Sequence, residues 1–246
     1  MDPRIYREMA QYQEQHWWFH ARREILSEIL ESLKLSDDAD ILEIGCGTGS
    51  NLRMLDKFGK VKGIEMDDFA RDFAFKESGF PIDCGWLPYN IPVHDHQFDL
   101  VCLFDVLEHV EQDQSGLSEI RKILRPNRGK VLITVPAYPW LYSEHDRIHH
   151  HFRRYTVDTL KKVAHQSGFK VLRCGYFNSL LFPLLALIRI ITKLFKSSTD
   201  EQKLPNNIIN KILYSIFIQE KKFIRYCFFP FGASLVAVLS TDVKTE

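Results

Sequence analysis

The chain has 246 residues, 45% hydrophobic and 26% charged, which disfavours disorder, collagen-like repeats and a disulfide miniprotein. Thirty-two basic and thirty-two acidic residues cancel to a formal charge of zero, so no nucleic-acid partner is expected from bulk attraction. Five scattered cysteines without a CxxC pair and an N-terminus without an apolar leader core suit a reduced, cytoplasmic protein.

Taken in order, residues 5–34 carry helical apolar spacing through Ile25, Ile29, Leu30 and Leu33. Short apolar runs at 39–45, 61–66, 98–104 and 130–135 have the length of buried strands. Helix-compatible stretches at 50–58, 67–77, 113–124 and 156–167 separate or follow them. This alternation predicts an α/β fold with a parallel sheet and helices on both faces. Residues 168–177 and 232–240 read as two more strands, with an apolar run, a polar link and an amphipathic stretch between them. One domain over 1–246 is expected, with an N-terminal helical lid (1–36) and a helical insertion (179–226) before the last strand.

The run Glu43-Ile44-Gly45-Cys46-Gly47-Thr48-Gly49 places an acid late in a strand and three glycines in the following turn. Glycines permit positive φ and let a ligand press on bare backbone at a helix N-terminus. About twenty residues on, Glu65 ends the next strand, where a carboxylate can accept both hydroxyls of a ribose. The GxGxG spacing departs from the GxGxxG of nicotinamide-binding folds, which disfavours an oxidoreductase.

A second constellation follows the 98–104 run: Phe104-Asp105-Val106-Leu107-Glu108-His109. Ligands of open α/β sheets bind beyond the carboxyl ends of the strands, so this segment should face the cofactor. Asp105, Glu108 and His109 share a face if the turn is helical. Either they brace the pocket, or they hold a divalent ion; the ion is the less favoured reading. A third constellation, His145-Asp146 with His149-His150-His151-Phe152-Arg153-Arg154-Tyr155, adds groups that can serve as acid, base or ligand.

The turn and the acid resemble the first motifs of class I S-adenosylmethionine (SAM) dependent methyltransferases. One bacterial subgroup also carries HWWFxxRR, matched by His16 to Phe19 with Arg22 and Arg23, and a DVLEH block and HxRRYT segment. The resemblance implies a Rossmann-like seven-stranded methyltransferase sheet with an antiparallel edge pair from 171–177 and 233–240. It implies that Gly45, Cys46, Gly47 and Gly49 line SAM with support from Glu43, and that Glu65 takes the ribose. Met66 and Asp83 would meet the adenine, Phe104 would line the pocket, and Trp18 and Arg22 would close over it. His109, His145, Asp105 and Glu108 are the candidate catalytic groups. The expected acceptor is a small molecule or a lipid-linked one, with oxygen favoured over nitrogen or carbon. A non-catalytic SAM-binding regulatory module is the alternative. The insertion carries eight bases and three acids between Arg189 and Arg225. Such a balance suits contact with an anionic membrane surface, on the inner face of the membrane, or a homodimer contact.

Overall fold

The computed structural model describes residues 3–93, 97–195 and 204–242. Its sheet has seven strands: β1 (Asp40–Ile44), β2 (Lys60–Glu65), β3 (Ile82–Cys84), β4 (Leu100–Phe104), β5 (Lys130–Pro136), β6 (Lys170–Phe177) and β7 (Ser234–Ser240). Their spatial order is β3-β2-β1-β4-β5-β7-β6. The first five run parallel, and β7 is antiparallel to both β5 and β6. The antiparallel edge pair is therefore present, as the resemblance implies.

Alternation along the strands divides the core into two layers. Leu42, Ile44, Val101, Leu103, Ile133 and Val135 point to one face, where α5 (Asp113–Ile123) and α7 (Val157–Gln166) bury Leu117, Ile120 and Leu160. Ile41, Leu100, Cys102, Phe104 and Leu132 point to the other, under Ile25, Leu26, Ile29 and Leu30 of α2 (Trp17–Ser32). Both faces of a parallel sheet are covered, which is why its strands read as unbroken apolar runs.

Three elements differ from the sequence expectation. The helix expected over 5–34 is two helices, α1 (Pro3–Tyr12) and α2, separated by a turn in which the His16 ring caps the backbone N–H of Trp18. Asn210 of α9 (Asn207–Phe217) accepts from the Trp17 N–H at 2.9 Å and donates to the Gln15 carbonyl at 2.8 Å. A side chain nearly two hundred positions away thus satisfies the backbone at the break. The helix over 50–58 is a single turn of α-helix, α3 (Leu52–Leu55), followed by a tighter turn to Phe58. A short helix, α6 (Glu144–Ile148), forms inside the histidine-rich loop. The remaining helices are α4 (Asp68–Ser78), α8 (Phe182–Phe195) and α10 (Lys221–Ile224).

Candidate active site

The glycine turn leaves β1 and is held by the neighbouring strand: the N–H groups of Gly45 and Cys46 donate to the Ile64 carbonyl at 2.7 and 3.1 Å. Gly45 has φ +69°, and a Cβ there would stand 2.7 Å from a Val106 methyl. Only glycine fits that position. Gly47 also has positive φ, and a Cβ would meet only the Met9 methyl of α1 at 3.8 Å. One side of the turn is therefore bare backbone, covered by α1 rather than by the sheet.

Glu43 and Glu65 brace this turn differently. Glu43 is fully buried and accepts from Asn51 Nδ2 at 2.8 Å on one oxygen, while the other meets no donor among the described residues. Burial pushes it up to about 8. Glu65 accepts from the Gly47 N–H at 2.8 Å and from the Met66 and Asp67 N–H groups at 2.9 and 3.0 Å. Its Oε1 also accepts from the Tyr6 hydroxyl at 3.1 Å. Tyr6 is a residue that the sequence reading missed. It lies with Met9 on the face of α1 turned to the turn, and Gln13, just past the end of that helix, bonds Thr48 Oγ1.

The cover over the glycine turn therefore comes from α1, not from the aromatic start of α2. Trp17 is buried against Phe217 of α9, and Trp18 stacks under the Arg22 guanidinium at 4.7 Å. Arg22 is buried as well. Its Nη2 donates to Asp105 Oδ2 at 2.7 Å and to Thr134 Oγ1 at 2.6 Å, and the ring of Phe104 lies 5.5 Å away. The guanidinium is thus committed to the sheet and to Asp105, where the resemblance had it closing over the cofactor. Met66 is 57% exposed beside the turn. Asp83, on edge strand β3, pairs with Lys62 at 2.6 Å, so the expected adenine acceptor is engaged by a lysine. Cys46 is buried and its thiol is raised by that burial.

The acidic and histidine segments converge. The Phe152 N–H donates to the Glu108 carbonyl at 2.8 Å, and the rings of His109 and His151 meet edge to face at 4.6 Å. Asp146, wholly buried, accepts from His151 Nδ1 at 2.9 Å, from Arg154 Nε at 2.8 Å and from the Ser143 N–H at 2.8 Å. These contacts outweigh its burial and hold it well below the usual carboxylate range. His145 packs on His149 at 4.2 Å and lies 6.5 Å from His151. Burial lowers His109 to about 3 and His145 to about 2, so both imidazoles are neutral and poor proton acceptors near pH 7. Asp105 is likewise not a free base, because Arg22 holds it.

A turn of bare backbone beside a buried carboxylate at the end of the next strand fits the methionine and ribose parts of SAM. The family follows from sequence. A model described as a methyltransferase domain matches residues 15–173, and the chain belongs to that family. It is a SAM-dependent methyltransferase. An uncharacterised protein of Methanocaldococcus jannaschii is 28% identical over 201 residues, 82% of this chain and 83% of its own length. The mitochondrial ubiquinone biosynthesis O-methyltransferase of Schizosaccharomyces pombe is 29% identical over 127 residues, 49% of this chain and 46% of that enzyme. The chain thus spans about half the length of some relatives it matches. A SAM-dependent methyltransferase of Clostridium acetobutylicum has the same fold, with a TM-score of 0.58 at 12% identity over 90% of this chain and 91% of that one.

Proposed function

We propose that this methyltransferase acts on an acceptor hydroxyl, carried by a small or lipid-linked molecule and held between residues 105–109 and 145–151. The observation that carries this reading is the wall those two segments make. Asp105 is paired with Arg22 and Asp146 with Arg154, burial favours the neutral, protonated form of Glu108, and His109 and His145 are neutral. Such a wall offers a cationic amine no free counter-charge. It suits a neutral hydroxyl, which needs no counter-charge and whose oxygen can be turned toward the methyl group.

When bound, SAM supplies a methyl group already activated on a sulfonium. The chain's share is then alignment and exclusion of water. The glycine turn and Glu65 fix the cofactor, α1 shields the turn, and the histidine loop places the acceptor. Both O-methyltransferases and an N-methyltransferase occur among the relatives, which leaves the wall as the deciding feature.

A lipid-linked acceptor is favoured by the outer surface of the insertion. Leu180 and then Leu184, Leu187 and Ile191 of α8 are exposed, as are Ile208, Ile212 and Ile216 of α9. Neither helix contains an acidic residue. The test is transfer from methyl-labelled SAM into lipid, small-molecule, RNA and protein fractions of a lysate. Label in a lipid or small-molecule fraction as an O-methyl group supports the reading, and label in RNA, in protein or on nitrogen overturns it.

A further inference from the structure

Glu108 has no side-chain role in the fold. It is 0% exposed, and neither carboxylate oxygen meets a hydrogen-bond partner among the described residues. The guanidinium groups whose charge reaches it, Arg22 and Arg154, are already bound to Asp105 and Asp146. A carboxylate in that position is costly unless it is protonated or meets a cation.

Two imidazoles face the same point. The ligating atoms of Glu108, His109 and His151 all lie within 4.8 Å of one another. Donors on one ion stand about 3–4 Å apart when the bonds are about 2.0–2.2 Å, so modest side-chain rotations complete the site. We propose that Glu108, His109 and His151 bind one divalent transition-metal ion, with an open position for the acceptor oxygen.

The surroundings orient these ligands. Asp146 takes Nδ1 of His151 at 2.9 Å, which leaves Nε2 for the ion, and the His109 ring hydrogen-bonds to the backbone of His150. Carboxylate or carbonyl partners of this kind fix the tautomer and direction of a ligating histidine. Tyr142 holds the loop by donating to the His151 carbonyl at 2.8 Å. Asp105, grouped with Glu108 and His109 by its spacing, is excluded by its ion pair with Arg22, and His151 takes its place. Two nitrogens and one carboxylate suit zinc, cobalt, manganese or ferrous iron better than magnesium or calcium, which prefer oxygen donors throughout.

The inference rests on reading residues 105–109 as the acceptor side of the methyltransferase site, and its test separates the two. The full chain is stripped with EDTA, dialysed and titrated with Co2+, followed by ligand-field absorption and calorimetry. One Co2+ per chain, displaced by Zn2+, is the expected result. Glu108→Gln keeps the side-chain shape and every histidine, and should weaken Co2+ binding by about 100-fold, as should His151→Ala. Circular dichroism and SAM calorimetry on the same samples report the fold, and His109→Ala replaces any variant that fails to fold. A stripped chain that takes up neither Co2+ nor Zn2+ overturns the metal site. So does a folded Glu108→Gln chain that binds Co2+ as tightly as the parent. Loss of SAM binding by the parent chain instead overturns the methyltransferase reading of the site, whatever the metal does.

Discussion

Glu43 and Glu65 stand on adjacent parallel strands, yet one carboxylate is starved of donors and the other is saturated. Glu65 gathers three backbone N–H groups and the Tyr6 hydroxyl. Among the described residues Glu43 has only Asn51, and burial raises it to about 8. Between about pH 4.5 and 8 the folded chain therefore keeps a proton on Glu43 that the unfolded chain has released. The stability this proton contributes is full at the acid end and lost as pH climbs through the window, at up to about 1.4 kcal/mol per pH unit. Glu43→Gln should consequently flatten the fall of Tm between pH 5 and 8 seen by scanning calorimetry; an unchanged slope would contradict the assignment. Glu108 and Glu220 shift the same way and remain in the variant, so the slope shrinks without vanishing. Arg22 is the opposite case, a buried cation whose removal strands Asp105 and Thr134. Arg22→Ala should cost about 3 kcal/mol, roughly 6–12 °C in Tm for a chain of this size, while Arg23→Ala on the neighbouring, partly exposed position should cost under half of that.

Among elements, α1 is the one whose position bears most directly on cofactor entry. Its Tyr6 hydroxyl occupies a Glu65 oxygen that the ribose is expected to use. Tyr6→Phe keeps the ring and removes the competing donor, so SAM affinity should rise by about fivefold, the worth of roughly 1 kcal/mol for one net hydrogen bond. Weaker SAM binding in Tyr6→Phe, measured by calorimetry, would instead make Tyr6 part of the cofactor's own hydrogen-bond set. What the sequence made readable follows the range of each interaction. Strands β1, β2, β4 and β5 were visible because burial on both faces writes unbroken apolar runs, and the glycine turn because backbone geometry is a local demand. The break between α1 and α2 was not, because its partners, Thr48 and Asn210, are distant in the chain. Nor could spacing tell that Asp105 belongs to Arg22 and that His151 stands beside Glu108, since both pairings depend on how two loops fold over the sheet end.

On the scale of the molecule, the insertion is where the surface departs from the neutral average. Arg189 pairs with buried Asp146, while Lys221 pairs at the surface with Glu24 and Glu28 and Arg225 with Glu31, which consumes part of the basic excess counted from sequence. Aliphatic rows on α8 and α9 remain exposed, and no helix among the described residues is long and apolar enough to cross a membrane. If these rows meet a lipid surface, the chain should float with anionic vesicles in a salt-sensitive way, and Ile208→Ser with Ile212→Ser should abolish flotation. A chain that ignores vesicles but sediments as a dimer, reverting to monomer in that double variant, would assign the rows to a second copy.

The position of β7 between β5 and β6 sets the timing of assembly. During synthesis β6 emerges well before Ser234, and until β7 arrives it has no strand to pair with, while β5 presents its raw edge to solvent. The nascent chain must therefore wait with an open sheet, and its closing step joins segments far apart in sequence, a slow kind of contact. A chain stopped before Ser234 is expected to aggregate rather than melt cooperatively, even though it retains the glycine turn, both acids and the whole histidine loop. The last strand to be made works as the keystone of a site to which it contributes no ligand.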